Sequence, residues 1–132
     1  VDVNQAATNN EMIANNRVQF FRKSWVADYP DAQNYLSLFL SKNFSPSGPN
    51  YTHFSSHKFD RLYEQAMQIT DDSLRFKLYR QMDQLIIDKA PVVPLFYDEV
   101  VRFIPNNISG IGVNPMNLLV LKYAKKVNKK VN

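Results

Sequence analysis

From Lys58 to Ile69 the apolar positions Phe59, Leu62, Tyr63, Ala66 and Ile69 recur at spacings of three and four, which predicts an amphipathic helix with one buried face. The pattern stops at Thr70-Asp71-Asp72, three short polar side chains suited to capping the start of a second helix. That helix is expected to run to about Lys89 with Leu74, Leu78, Met82, Leu85 and Ile86 turned inward, and Ala90-Pro91 ends it because proline lacks the N–H that would continue the ladder. The short connection permits the two helices to pack as an antiparallel pair.

Upstream, Val1-Asp2-Val3 alternates like the end of a strand, and Ala6 to Asn16 predicts a short helix with Met12 and Ile13 inward. Val18 to Val26 is a β-rich run expected to form a buried strand. Strand, helix and strand at this spacing predict a βαβ unit with parallel strands, and a chain that begins inside a strand is expected to be a piece of something larger. Ala27 to Asp31 is then a strand-to-helix loop in which Pro30 holds Tyr29 extended and Asp31 can cap the next helix. This helix, Ala32 to Ser41, is expected to place Tyr35, Leu38 and Phe39 on one face. Ser45-Pro46-Ser47-Gly48-Pro49-Asn50 reads as a linker. Val92 to Tyr97 and Val100 to Ile104 read as short strands, the first at an edge because of Pro94, with turns at Asn106-Asn107 and Gly110 to Gly112. The fold class is α/β.

A length of 132 residues, 45% of them hydrophobic, suits one packed domain or less. The net charge of +4 would fit a nucleic-acid or anionic-surface binding module, but it is local: five lysines and no acid stand between Leu121 and Asn132, and the rest of the chain is close to neutral. The commonplace explanation of such a tail is a solvated terminus. The absence of cysteine excludes disulfides, thiolate metal sites and cysteine nucleophiles. No apolar stretch approaches the roughly 18 residues of a membrane span, and no basic start followed by an apolar run marks a signal peptide.

Candidate chemistry is sparse. His53 and His57 have helical metal-ligand spacing but sit in a poor helix context without an acid to complete a zinc site, so neither a metal nor a cofactor is expected. Asp28 and Asp31 share one loop with no nucleophile motif or phosphate-binding glycine loop nearby, which leaves two readings: turn and cap residues, or a binding carboxylate. Trp25, three residues before Asp28, is either core or the aromatic wall of a site at the carboxyl end of a strand, where open α/β sheets bind ligands.

The ordered run Trp25-Val26-Ala27-Asp28-Tyr29-Pro30-Asp31, Asn34-Tyr35-Leu36, Asn50-Tyr51-Thr52-His53-Phe54, Phe59-Asp60-Arg61-Leu62-Tyr63, Asp71-Asp72-Ser73-Leu74-Arg75, Leu78-Tyr79 and Ala90 to Tyr97 resembles the dipeptide- and oligopeptide-binding class (family 5) of extracellular solute-binding proteins of ABC importers. The resemblance implies a C-terminal fragment of a two-lobe, type II periplasmic-binding-protein fold, with residues 1–45 ending the distal ligand-binding lobe and residues 46–132 returning to the lobe that holds the N-terminus. It implies a receptor and not an enzyme, located in the periplasm or on the extracytoplasmic surface of a bacterium, with a peptide ligand, an ABC permease as partner, no nucleic acid, and membrane attachment only through an N-terminal lipid anchor outside this chain. By the same resemblance Asp28 pairs with the ligand's terminal ammonium, Trp25 lines a side-chain pocket with Tyr29 beside it, and Arg22 meets a ligand carboxylate. Physical chemistry agrees on one point: an enclosed ammonium without a partner costs several kcal/mol, so a receptor that buries a peptide's amino end must supply a carboxylate.

Overall fold

Two helices form where the periodicity predicts them, and a side-chain cap starts each one. The structure, a computed structural model, describes residues 5–114 and 116–127. The α-helices are α1 (Ala6–Ala14), α2 (Gln33–Leu36), α3 (His57–Gln68) and α4 (Asp72–Lys89), and two single 3-10 turns, Ser37–Phe39 and Ser41–Asn43, follow α2. The strands β1 (Ile108–Ser109) and β2 (Lys125–Lys126) pair antiparallel. The chain divides into two compact units, one ending at Pro94 and the other beginning at Leu95.

Ser56 Oγ accepts the Phe59 N–H at 3.3 Å to open α3, and the Asp71 carboxylate accepts the Leu74 N–H at 3.0 Å to open α4. Each cap satisfies a donor that the helix itself cannot, worth about 1 kcal/mol. At its far end α4 stops on Ala90, whose left-handed φ of 46° turns the chain into Pro91.

The core of the first unit lies between these two helices. Phe59, Ala66 and Met82 are wholly buried there, joined by Leu62, Tyr63, Tyr79 and Ile86. Leu36 and Leu40 close one side of this core, and Phe39, Phe54 and Phe59 meet edge to face with centroids 5.8–6.4 Å apart. In α1, Ile13 is buried as expected.

Several expectations are corrected. Leu74 is half exposed, whereas Tyr79, outside the expected inward set, is buried. The helix expected over Ala32 to Ser41 is one α-turn followed by 3-10 turns, so its buried positions are Leu36 and Leu40 instead of Tyr35, which is exposed. Ser45 to Asn50 is a closed loop, not a linker: Phe44 bridges Asn50, and a Cβ on Gly48 would collide with the Asn43 backbone. Asn50, fully buried, donates to the Leu40 and Phe54 carbonyls at 3.1 and 3.0 Å and accepts from Thr52 Oγ1 at 2.9 Å, so its amide is satisfied on both sides.

The strands are the larger correction. Val18 to Val26 bends at Gln19-Phe20 and joins no ladder among the described residues, with Phe20 93% and Val26 72% exposed, and Val92 to Tyr97 and Val100 to Ile104 likewise join no ladder. A β-rich segment becomes a strand only when a neighbour runs beside it in a hydrogen-bonded ladder, and among the described residues these segments have no strand assignment. Val1 to Val3, and with it the first strand of the expected βαβ unit, lies outside the described residues, as do Lys129 and Lys130 of the basic tail; Lys125 and Lys126 form β2.

One junction seats the Ala27 to Asp31 loop on the helix pair. Asp31 Oδ1 accepts the Gln33 N–H at 2.8 Å, and its other oxygen pairs with Arg75 of α4 at 3.1 Å; Arg75 also meets Asp72 at 2.7 Å. Tyr79 lies one turn beyond Arg75 and is buried, and burial, reinforced by the Asp31 carboxylate, pushes its phenol up to about 12.

Two outcomes follow for stability. Phe59→Ala should destabilise the chain by about 3–5 kcal/mol in urea melts, whereas Leu74→Ala should stay within about 1 kcal/mol of the parent; comparable losses at the two positions would contradict the observed helix faces. The neutral Tyr79 phenol is favoured in the folded state, so its contribution is complete below the ordinary value of 10.0 and is lost as pH rises toward about 12. Tyr79→Phe should therefore lose less stability than the parent chain between those limits, and equal slopes of melting temperature against pH would refute the assignment.

Candidate ligand-anchor site

The loop after Trp25 is short, and Pro30 together with the Asp31 N–H bond to the Tyr29 carbonyl at 2.9 Å turns it directly into α2. This turn brings the side chain of Asn34, in the first turn of α2, beneath the loop. Asn34 is only 4% exposed. Its Oδ1 accepts the Trp25 indole N–H at 2.7 Å, and its Nδ2 donates to Asp28 Oδ2 at 3.4 Å. The aromatic ring and the carboxylate are thus joined through one buried amide.

Trp25 is partly buried and lines a cleft of about 130 Å³ with Phe21, Leu38, Phe39 and Tyr51 among its walls. Lys23 also borders the cleft and places its ammonium 4.1 Å from the centre of the Tyr51 ring. The cleft is smaller than the roughly 300 Å³ at which small-molecule sites begin, so these residues form one wall and not a complete enclosure. Asp28 presents an exposed side chain above α2 and does not line this cleft.

The other two expected residues, Tyr29 and Arg22, do not line the cleft. Tyr29, 43% exposed, turns its hydroxyl to Gln33 Oε1, and Gln33 Nε2 continues to the Tyr63 hydroxyl. Burial raises the Tyr63 phenol above its ordinary value, against the pull of the Gln33 hydrogen bond. Arg22 is exposed and is not among the cleft residues. Of the residues outside the expected set, Asn34 and Gln33 matter most. The available signal was a polar residue in the first turn of a helix whose neighbours Leu36 and Leu40 are core.

His53 and His57 do not share a helix. His53 has a positive φ of 52°, stacks on Phe44 at 4.8 Å and sets Nε2 3.1 Å from Ser45 Oγ, whereas His57 opens α3. Among the described residues no group of three His, Asp or Glu side chains converges as a metal site.

No protein-family profile matches the chain. Curated proteins do. The chain is 30% identical over 110 residues to the dipeptide-binding protein DppE of Bacillus subtilis, a match covering 83% of this chain and 20% of that protein. It is 32% identical over 102 residues to the probable deoxycholate-binding periplasmic protein YgiS of Escherichia coli, covering 76% and 18%. With the periplasmic oligopeptide-binding protein OppA of Salmonella typhimurium it shares 28% identity over 102 residues, covering 76% and 18%. The chain therefore spans about a fifth of the length of these relatives, and the matches fall in their C-terminal part. The relatives are binding proteins and not enzymes, and nothing in them supports a nucleic-acid role for the lysine tail. A sequence that matches the C-terminal part of such proteins along most of its own length places this chain in the dipeptide- and oligopeptide-binding class of extracytoplasmic bacterial solute-binding proteins.

Proposed function

We propose that this chain supplies part of one wall of a peptide-binding cleft in an ABC-importer receptor, with Asp28 as the anchor for the ligand's amino terminus and Trp25 as the wall of the neighbouring side-chain pocket. In this reading the cleft lies between two lobes. Residues 1–45 end the distal lobe, residues 46–132 return to the other, and the closed receptor delivers its ligand to a permease. Arg22 serves ligands whose carboxylate reaches it, and Tyr29 borders the anchor.

The observation that carries the reading is the link from Trp25 through Asn34 to Asp28, which holds an aromatic face and an exposed carboxylate on one short loop. A carboxylate in that position selects a cation, and an aromatic surface beside it selects an apolar group attached to that cation; the amino end of a peptide presents both. Backbone hydrogen bonds to the rest of a peptide carry no side-chain information, so such a site accepts many sequences. The dipeptide- and oligopeptide-binding names of the relatives point the same way.

In a full-length receptor carrying this sequence, Asp28→Asn should weaken peptides with a free amino terminus by about 2–5 kcal/mol, the range for breaking a desolvated charge pair. The same peptide N-acetylated has no ammonium and should lose much less. Titration calorimetry of both peptides against both proteins decides the matter: equal losses would return Asp28 to the role of a turn residue.

A further inference from the structure

We infer that Asn34 is the positioning residue of this site, a buried switchboard that fixes the Trp25 ring and the Asp28 carboxylate relative to each other; its effect on ligands rests on the reading of Asp28 as amine anchor.

An indole N–H is a donor only, and an ionised carboxylate is an acceptor only. A side chain that serves both at once must offer one acceptor and one donor in a fixed relation, which an amide does. The orientation of Asn34 is thereby determined without ambiguity: the oxygen faces Trp25 at 2.7 Å and the nitrogen faces Asp28 at 3.4 Å. Neither partner could exchange places with the other, because a flipped amide would set donor against donor and acceptor against acceptor. Asn34 is also the most buried polar side chain of this loop and helix, at 4% exposure, and its own backbone carbonyl accepts Ser37 Oγ at 2.8 Å, which steadies the turn that carries it. The exposed Asp28 has no comparable packing, so the amide beneath it is what limits where its carboxylate rests.

A leucine at position 34 would fill similar volume and leave the indole N–H and the carboxylate without this bridge. An aspartate would keep an acceptor for the indole but offer no donor to Asp28. The two substitutions therefore separate the two halves of the role.

Trp25 is the sole tryptophan, so a 15N-labelled chain gives one indole N–H signal. Asp28 reaches that indole through Asn34, and because Asp28 is exposed its substitution leaves the core intact. Asp28→Ala should move the indole signal in the parent chain and leave it unmoved in the Asn34→Leu background, a double-mutant cycle with a non-zero coupling. The indole proton should exchange with deuterated solvent about tenfold faster in Asn34→Leu, and Asn34→Asp should restore slow exchange while staying insensitive to Asp28→Ala. An indole signal indifferent to Asp28→Ala in the parent chain, or displaced equally in both backgrounds, overturns the inference. In a full-length receptor Asn34→Leu should also weaken a free-amine peptide about tenfold and its acetylated form less. If the spectroscopic coupling holds while both peptides weaken alike, the positioning role stands and the amine-anchor reading of Asp28 falls.

Discussion

The packing of α3 against α4 is the constraint on which the first unit rests. Phe59, Ala66 and Met82 are removed from water entirely at their interface, and each large side chain so buried contributes about 1.5–3 kcal/mol. Leu36 and Leu40 use this pair as their platform, which is what fixes α2 although it is a single turn and could not persist alone in water. The loop that precedes α2 then inherits its place from below. Asp31 ties it to Arg75 on α4, and Asn34 ties Trp25 and Asp28 to α2. The exposed Asp28 side chain is thus held by a series of contacts that begins in a buried core two elements away.

The helical part of this series was legible in the sequence because helices α3 and α4 are locally determined. Their apolar spacing, the caps at Ser56 and Asp71 and the stop at Ala90-Pro91 all lie within the segments they specify. Leu74 shows the limit: periodicity names a face of the helix but not which positions along that face a partner covers, and Leu74 stays half exposed. The strands were illegible for a different reason. Val18 to Val26 and Val92 to Tyr97 have strand composition, yet pairing is a property of two segments, and among the described residues neither joins a ladder.

The site was legible in part. The separation of Trp25 from Asp28 marked a loop with an aromatic and an acid, the pair on which the proposed ligand anchor rests. Composition could not reveal the amide between them, since an asparagine in a helix carries no signal of burial until the tertiary packing is known. Asn50 makes the same point: it looked like the end of a polar linker and is instead a fully buried hub that closes a loop. In both cases the informative residue is a buried polar one whose hydrogen bonds are nearly all spent on neighbours, the situation in which a single amide fixes a conformation most strongly.

The most direct measurement is a crystal structure of a full-length receptor bearing this sequence, grown with a dipeptide in the cleft. The peptide's ammonium nitrogen should lie about 2.7–2.9 Å from the Asp28 carboxylate, the distance of a charge-assisted hydrogen bond, with its first side chain against the Trp25 ring. An ammonium paired with a different carboxylate, leaving Asp28 in solvent, would contradict the assignment of this loop as the amine anchor.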